Sequence, residues 1–266
     1  MRRLLCTALL SLWPLMPAAD PLEGAISLEI VPGWRVDDET HRFAMRFVLG
    51  EGWKTYWRAP GDMGIPPAFS WRGSENVDGV SFHWTVPEIQ RQNGTRVLGY
   101  EGQMVLPMDL RVTDSSRDAE VKGAVQIGIC RDICVPITLP FSAKLPKDGG
   151  KSGVILGAML AQPLTAREAG ASEVICSFSP IEDGVEITAS FKVPALGEDE
   201  MGVIEASDPE LWVSEADYSR IGSSVTLQAD ILHQDGGPIA LDRRNLRFTL
   251  VAEGTAVDLR GCRINA

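Results

Sequence analysis

Histidine is scarce in this chain, with 3 residues in 266, and so is tyrosine. His41, His83 and His233 stand far apart and share no ligand spacing, which argues against a histidine-based metal centre. Each reads as an ordinary surface or core residue. Positive charge is also short: 25 Lys and Arg face 36 Asp and Glu, for a formal net charge of −11. That balance argues against holding nucleic acid or anionic lipid by counterion release. No nucleophile elbow, P-loop or dinucleotide fingerprint is present, so hydrolase, kinase and nucleotide-binding readings have no support. No CxxC pair occurs, and no cofactor is called for. Long stretches of helical period are nearly absent. Past the leader, no apolar run approaches the roughly 20 residues that span a bilayer. The best candidate, GVILGAMLA from Gly153, is soon ended by Pro163.

What is present begins with MRRLLCTALLSLWPLMPAAD. Arg2 and Arg3 precede an apolar stretch from Leu4 to Met16, and Ala18 and Ala19 follow. This is the order of a secretory signal peptide, expected over residues 1–19 and cleaved near Ala19 or Asp20. Cys6 lies near the start of this apolar stretch rather than after it, which argues against a lipoprotein. The Arg-Arg pair lacks the longer twin-arginine pattern, so export in the unfolded state is expected. Losing Arg2 and Arg3 moves the net charge from −11 to −13. The mature chain is expected to be exported to the periplasm, without stable insertion in a membrane.

Short apolar runs then recur between turn residues. GAISLEIVPGW, RFAMRFVLG, VSFHWTV, QMVLPMDLRVT, AEVKGAVQIGI and CVPITLPFSAKL alternate or are rich in Val, Ile and Phe. Gly, Pro, Asn and Asp punctuate them, as strands require. Residues 146–172 break the pattern with a Gly/Lys-rich turn and one helix-like piece from Gly153 to Gln162. Strands resume with EVICSFSP and GVEITASFKV and continue to the end. The expectation is an all-β chain of two antiparallel β-sandwich domains, 20–145 and 173–266, joined by a 146–172 connector carrying a short helix. GWKTYWRAPGDMGIPP, from Gly52, is stiffened by Pro60, Pro66 and Pro67, and reads as a structural corner rather than a ligand surface.

With Cys6 removed, Cys130, Cys134, Cys176 and Cys262 remain. In an oxidising compartment an even count reads as disulfides, and four cysteines allow three pairings. The domain boundary selects Cys130–Cys134 and Cys176–Cys262. In the chain-entropy model the long Cys176–Cys262 loop is worth roughly 4.6 kcal/mol, whereas the Cys130–Cys134 loop is worth about 2. The long bridge reads as structural and the short one as a poor staple. If Arg131, Asp132 and Ile133 form a hairpin loop, Cys130 and Cys134 face each other within bonding reach. That loop lacks the glycine such hairpins favour, so backbone strain is expected. Arg131 favours a thiolate, and Asp132 offsets it in part. On these grounds redox exchange and an inert local bridge both stand, with zinc well behind them.

GWKTYWRAPGDMGIPPAFSW (52–71), VLGYEGQMVLPM (97–108) and VQIGICRDICVPITLPF (125–141) together resemble the N-terminal periplasmic domain of the DsbD family. The likeness is greatest to the branch that includes ScsB-type suppressor-of-copper-sensitivity proteins. It covers roughly residues 22–145 and continues more weakly through the second domain. The resemblance implies an immunoglobulin-like sandwich whose redox-active pair maps onto Cys130 and Cys134. It implies electrons arriving from a thioredoxin-like domain fed by a membrane electron carrier of the DsbD/ScsB type, and leaving for disulfide-bearing periplasmic proteins. The family's cap loop would fall at Val97, Leu98, Gly99 and Tyr100. Tyr100 is then the candidate covering ring, though a half-buried strand-end aromatic fits it equally. The chain departs from the family in lacking a polytopic membrane domain, a thioredoxin CxxC and the acidic-aromatic cap signature, and in its shorter cysteine spacing. Thiol-disulfide exchange is the leading expectation. The alternative is a non-catalytic binding or adaptor module in envelope assembly or copper tolerance. No Met/His cluster supports copper binding, and thiols would bind copper(I) only when reduced.

Overall fold

The computed structural model describes Leu22, residues 24–92 and residues 94–264. The expected signal peptide and its cleavage position lie outside the described residues. The first half holds β1 (Ile26–Arg35), β2 (Thr40–Leu49), β3 (Lys54–Tyr56), β4 (Ala68–Ser70), β5 (Gly79–Phe82), β6 (Glu88–Gln92), β7 (Thr95–Glu101), β8 (Gln103–Arg111), β9 (Ala119–Cys130) and β10 (Cys134–Leu145). One helix, α1 (Gly153–Leu160), follows. The second half holds β11 (Leu164–Thr165), β12 (Ile175–Ile181), β13 (Gly184–Lys192), β14 (Met201–Glu205), β15 (Leu211–Val213), β16 (Asp217–Ile221), β17 (Ser224–His233), β18 (Arg247–Ala252), β19 (Thr255–Arg260) and β20 (Arg263–Ile264).

These strands make two immunoglobulin-like sandwiches. In the first, the sheet β1-β2-β8-β5 packs against β10-β9-β3-β7-β6, with β4 added on β9. In the second, β11-β19-β18-β14 packs against β15-β17-β13-β12-β20, with β16 also on β17. Period-two alternation supplies both cores. On β8, Met104, Leu106, Met108 and Leu110 are fully buried; on β17, Val225, Leu227 and Ile231 are. The first core gathers Phe43, Phe47, Trp57 and Leu98, and the second gathers Ile187, Phe191, Phe248 and Leu250. Met201, Val251 and Ala256 from the second half join the first core, so packing continues across the boundary.

The short helix expected near Gly153 is α1, which seats Ile155 against Trp34 and Ala44 on the outside of the first sandwich. The connector also contributes a strand. Leu164 and Thr165 pair in parallel with Val257 and Asp258 of β19, and a strand this short leaves no periodic signal to read. Cys176 and Cys262 are bonded, with Cα atoms 5.8 Å apart, and join β12 to the turn before β20.

On the outer face of the first sheet, Arg42 and Asp109 sit opposite each other across β2 and β8. Arg42 donates from Nε and Nη2 to the two carboxylate oxygens at 2.7 Å, and His83 Nε2 lies 2.8 Å from Oδ2. Burial alone would raise the Asp109 pKa, but the bonds from Arg42 and His83 outweigh it and hold it at about 2, below the ordinary 3.8. A folded-state pKa below the unfolded value means the unfolded chain takes up a proton first. The contribution is therefore complete above pH 3.8 and is lost as pH falls towards about 2. Asp109→Asn is expected to flatten this part of the acid-unfolding limb, measured by urea midpoints between about pH 5 and 2.

Candidate functional site at the Cys130–Cys134 hairpin

β9 and β10 pair without interruption from Ala119↔Leu145 to Cys130↔Cys134. Arg131, Asp132 and Ile133 close the ladder as the hairpin tip, with Arg131 N–H donating to Ile133 C=O at 3.2 Å. The facing Cα atoms are 4.2 Å apart and the sulfurs are bonded. The strain expected for this loop is absent. Among the described residues only Asn76 and Asp199 are non-glycine residues with positive φ. The three loop residues therefore turn the chain without a left-handed position, and no glycine is needed.

The register puts a defined set of side chains on the cysteine face. Cys130 lies opposite Lys54 of β3, Tyr56 opposite Gly99 of β7, and Val97 opposite Gln90 of β6. Directly opposed residues share a face, so Cys130, Tyr56, Val97, Gly99 and Gln92 all project outward from this sheet. Tyr56, Val97 and Cys130 form one small buried cluster, and Ile65 and Cys134 pack against it. Gly128 makes room for the ring. A Cβ there would stand 2.6 Å from Ile65 Cβ and 2.9 Å from Tyr56 Cδ2.

Polar atoms meet the sulfurs directly. The Tyr56 hydroxyl lies 2.8 Å from Cys130 Sγ and 3.2 Å from Cys134 Sγ. Gln92 Nε2 donates to Cys134 Sγ at 2.6 Å, and its Oε1 lies 3.1 Å from the Tyr56 hydroxyl, whose single proton is shared between that oxygen and the sulfurs. The Gln92 amide is thereby oriented with its N–H towards sulfur. Cys130 is buried, Cys134 is partly exposed, and neighbouring Ile133 is 69 % exposed. A thiol reaching this hairpin from solvent meets Cys134 first. Donors held against a sulfur favour its thiolate form when the bridge opens.

Tyr100 is not the covering ring. It lies three residues from Val97, so the alternation of β7 places it on the opposite face, buried in the first core. Its hydroxyl donates to Thr85 C=O at 2.9 Å, and burial pushes its pKa well up. Leu98 shares that inner face, fully buried. Val97 touches the Cys130 cluster, and Gly99 sits beneath it where a Cβ would meet Thr55 O at 2.2 Å. Arg131 turns its guanidinium over the Trp53 ring, 4.9 Å from the centroid, and pairs with Asp132 at 3.4 Å. The thiolate-favouring contacts come from Tyr56 and Gln92 instead.

The GWKTYWRAPGDMGIPP stretch does more than turn a corner. Trp57 enters the core, while Tyr56 and Ile65 cover the disulfide. Between them, Arg58 forms a two-pronged ion pair with Glu205 of the second sandwich, both contacts at 2.9 Å, and Asp62 accepts from Glu215 N–H. The cover loop is thus anchored on both sandwiches. Among the described residues no group of three or more His, Cys, Asp or Glu could hold a metal ion.

An Ig-like sandwich with a bonded cysteine pair at a hairpin tip, one sulfur reachable and both contacted by donors, defines the class of β-sandwich thiol-disulfide interchange domains. Residues 26–146 match the family described as thiol:disulfide interchange protein DsbD, N-terminal. The first sandwich is a DsbD N-terminal domain. Over both sandwiches the fold is similar to the crystal structure of the N-terminal periplasmic domain of ScsB from Proteus mirabilis. The TM-score is 0.63 at 20% identity, covering 94% of this chain and 97% of that one. Among curated proteins none matches the chain.

Tyr56→Phe removes one donor from the sulfurs and leaves the ring in place. It is expected to slow thiol-disulfide exchange with dithiothreitol roughly tenfold, as loss of a hydrogen bond to a developing charge implies. The thermal midpoint should stay nearly unchanged, and stopped-flow kinetics beside a melting curve would check both.

Proposed function

We propose that this chain is an exported, periplasmic thiol-disulfide interchange protein that passes electrons through Cys130 and Cys134. A thioredoxin-like dithiol, or a membrane electron carrier of the DsbD/ScsB type, reduces the pair, and disulfide-bearing periplasmic proteins reoxidise it. The observation carrying this reading is the asymmetry of the bridge: Cys134 is accessible, Cys130 is buried, and both sulfurs lie against Tyr56.

In the reducing half-reaction the donor's thiolate attacks Cys134 Sγ. The S–S electron pair leaves on Cys130, whose thiolate is held by the Tyr56 hydroxyl. A second donor thiol resolves the mixed disulfide and releases Cys134 as a thiolate beside Gln92 Nε2. Two electrons have then entered the pair and the donor has become a disulfide. In the delivering half-reaction Cys134 thiolate attacks one sulfur of a partner disulfide and releases the other as a thiolate. Cys130 thiolate next attacks Cys134 Sγ, expelling the attacked partner sulfur as a second thiolate and restoring the bridge. Cys176–Cys262 takes no part, since Cys176 is fully buried and its bridge spans a whole sandwich.

Two measurements test the reading. Cys130→Ala leaves the accessible thiol without its resolving partner and is expected to trap mixed disulfides through Cys134 in periplasmic extract. Cys134→Ala, whose remaining thiol is buried, should trap far less. The Cys130–Cys134 potential should lie above the roughly −300 mV typical of structural bridges. A bridge below that value, with no species trapped by either variant, would make the pair an inert clip and the chain a binding module.

A further inference from the structure

Between the two sandwiches lies a cleft of about 420 Å³. One wall is the 58–66 loop, whose other side covers the disulfide through Ile65. The opposite wall is built from two sheet edges. β14 ends one sheet of the second sandwich, and β15 ends the other. The cleft is lined without a gap from Met201 to Ala206 and from Leu211 to Ala216. It therefore runs along these backbones rather than touching alternate side chains. β14 pairs with β18 on one side. On its other side no backbone partner is found among the described residues.

A free strand edge is a template for another extended chain. Five residues of β14 offer about 17 Å of it. The charge of the walls narrows the occupant. Arg58 is committed to Glu205, which leaves Asp62 and Glu215 as uncompensated negative charge along the cleft. The Glu215 carboxylate has no hydrogen-bond or ionic partner among the described residues. Trp212, 41 % exposed, stands on the same wall and offers a ring face to a cation.

We propose that this cleft accepts an extended segment bearing lysine or arginine, added as a strand to β14, from the protein that exchanges disulfides with Cys130–Cys134. The assignment to an exchange partner rests on the function proposed above. Gly64 and Pro66 line the cleft on either side of Ile65 in sequence, so a segment seated there lies next to the cover of the disulfide. The second sandwich then selects which partners reach the cysteines of the first. A second copy of this acidic chain is disfavoured by charge.

The test uses the full oxidised chain and a fluorescein-labelled acetyl-Lys-Val-Thr-Val-Lys-Val-Thr-amide peptide. Saturable binding is expected, with slowed amide exchange across Met201–Glu205. Binding should weaken at least tenfold for Glu215→Lys, which removes no side-chain contact. It should weaken likewise for the peptide with glutamate in place of lysine. Absence of saturable binding, protection confined to residues outside the cleft, or equal affinity for Glu215→Lys would overturn the proposal. Reduction of Cys130–Cys134 by dithiothreitol, followed on the same samples, separates the two readings. Exchange without peptide binding removes the cleft proposal alone. Peptide binding by a protein whose bridge does not exchange establishes strand addition and overturns the redox reading with its assignment of the occupant.

Discussion

The site depends on the position of β9 in its sheet. This strand pairs with β10 along its whole length on one edge and with β3 and β4 on the other. Its alternation sends Ile127 and Ile129 inward, both fully buried, and sends Gly128 and Cys130 outward. A slip of one residue would exchange these sets, burying the sulfurs in the core and exposing two isoleucines. The apolar burial of β9 therefore sets the geometry of the disulfide, and the bridge follows. Closing so small a loop adds little to stability by itself.

The 52–71 segment turns that geometry into a protected site. Over a few residues it places Trp57 in the core, Tyr56 on the sulfurs, Arg58 on Glu205 and Ile65 over Gly128. The Arg58–Glu205 pair is largely buried, and burial makes such pairs more useful for fixing geometry than for adding stability. Stacking of the Arg58 guanidinium on Trp57, 3.7 Å from the ring centroid, ties the same loop to the core. Access to Cys134 is consequently linked to how the two sandwiches are held together, although the cysteines belong to only one of them.

Much of this was legible in the sequence because its causes are local. Alternating apolar residues and the turn residues between them gave the strands, and the spacing of Cys130 and Cys134 gave a three-residue hairpin. The resemblance of three motifs to the DsbD family identified the first sandwich. What failed was inference across strands. Tyr100 is an aromatic in the expected segment, yet it stands at odd spacing from Val97 and so belongs to the core. Tyr56 and Gln92, which touch the sulfurs, carried no local signal. Their relevance appears only once β3 and β6 are in register with β9. The stiff Pro/Gly-rich stretch has the composition of a corner because rigidity is visible in composition, whereas the surfaces it joins are not.

Local patterns in the chain encode two sandwiches, a hairpin tip carrying two facing cysteines, and a separate long-loop bridge in the second half. Each follows from near-neighbour chemistry: side-chain period, turn propensity and loop length. Tertiary structure alone decided that Cys130 is buried and Cys134 reachable, and that a tyrosine 74 residues before Cys130 lies on its sulfur. It also decided that the cover loop is anchored on the other sandwich. Those outcomes depend on pairing register and packing between segments far apart in the chain, where contact is fixed by the summed burial of whole sheets rather than by any local pattern.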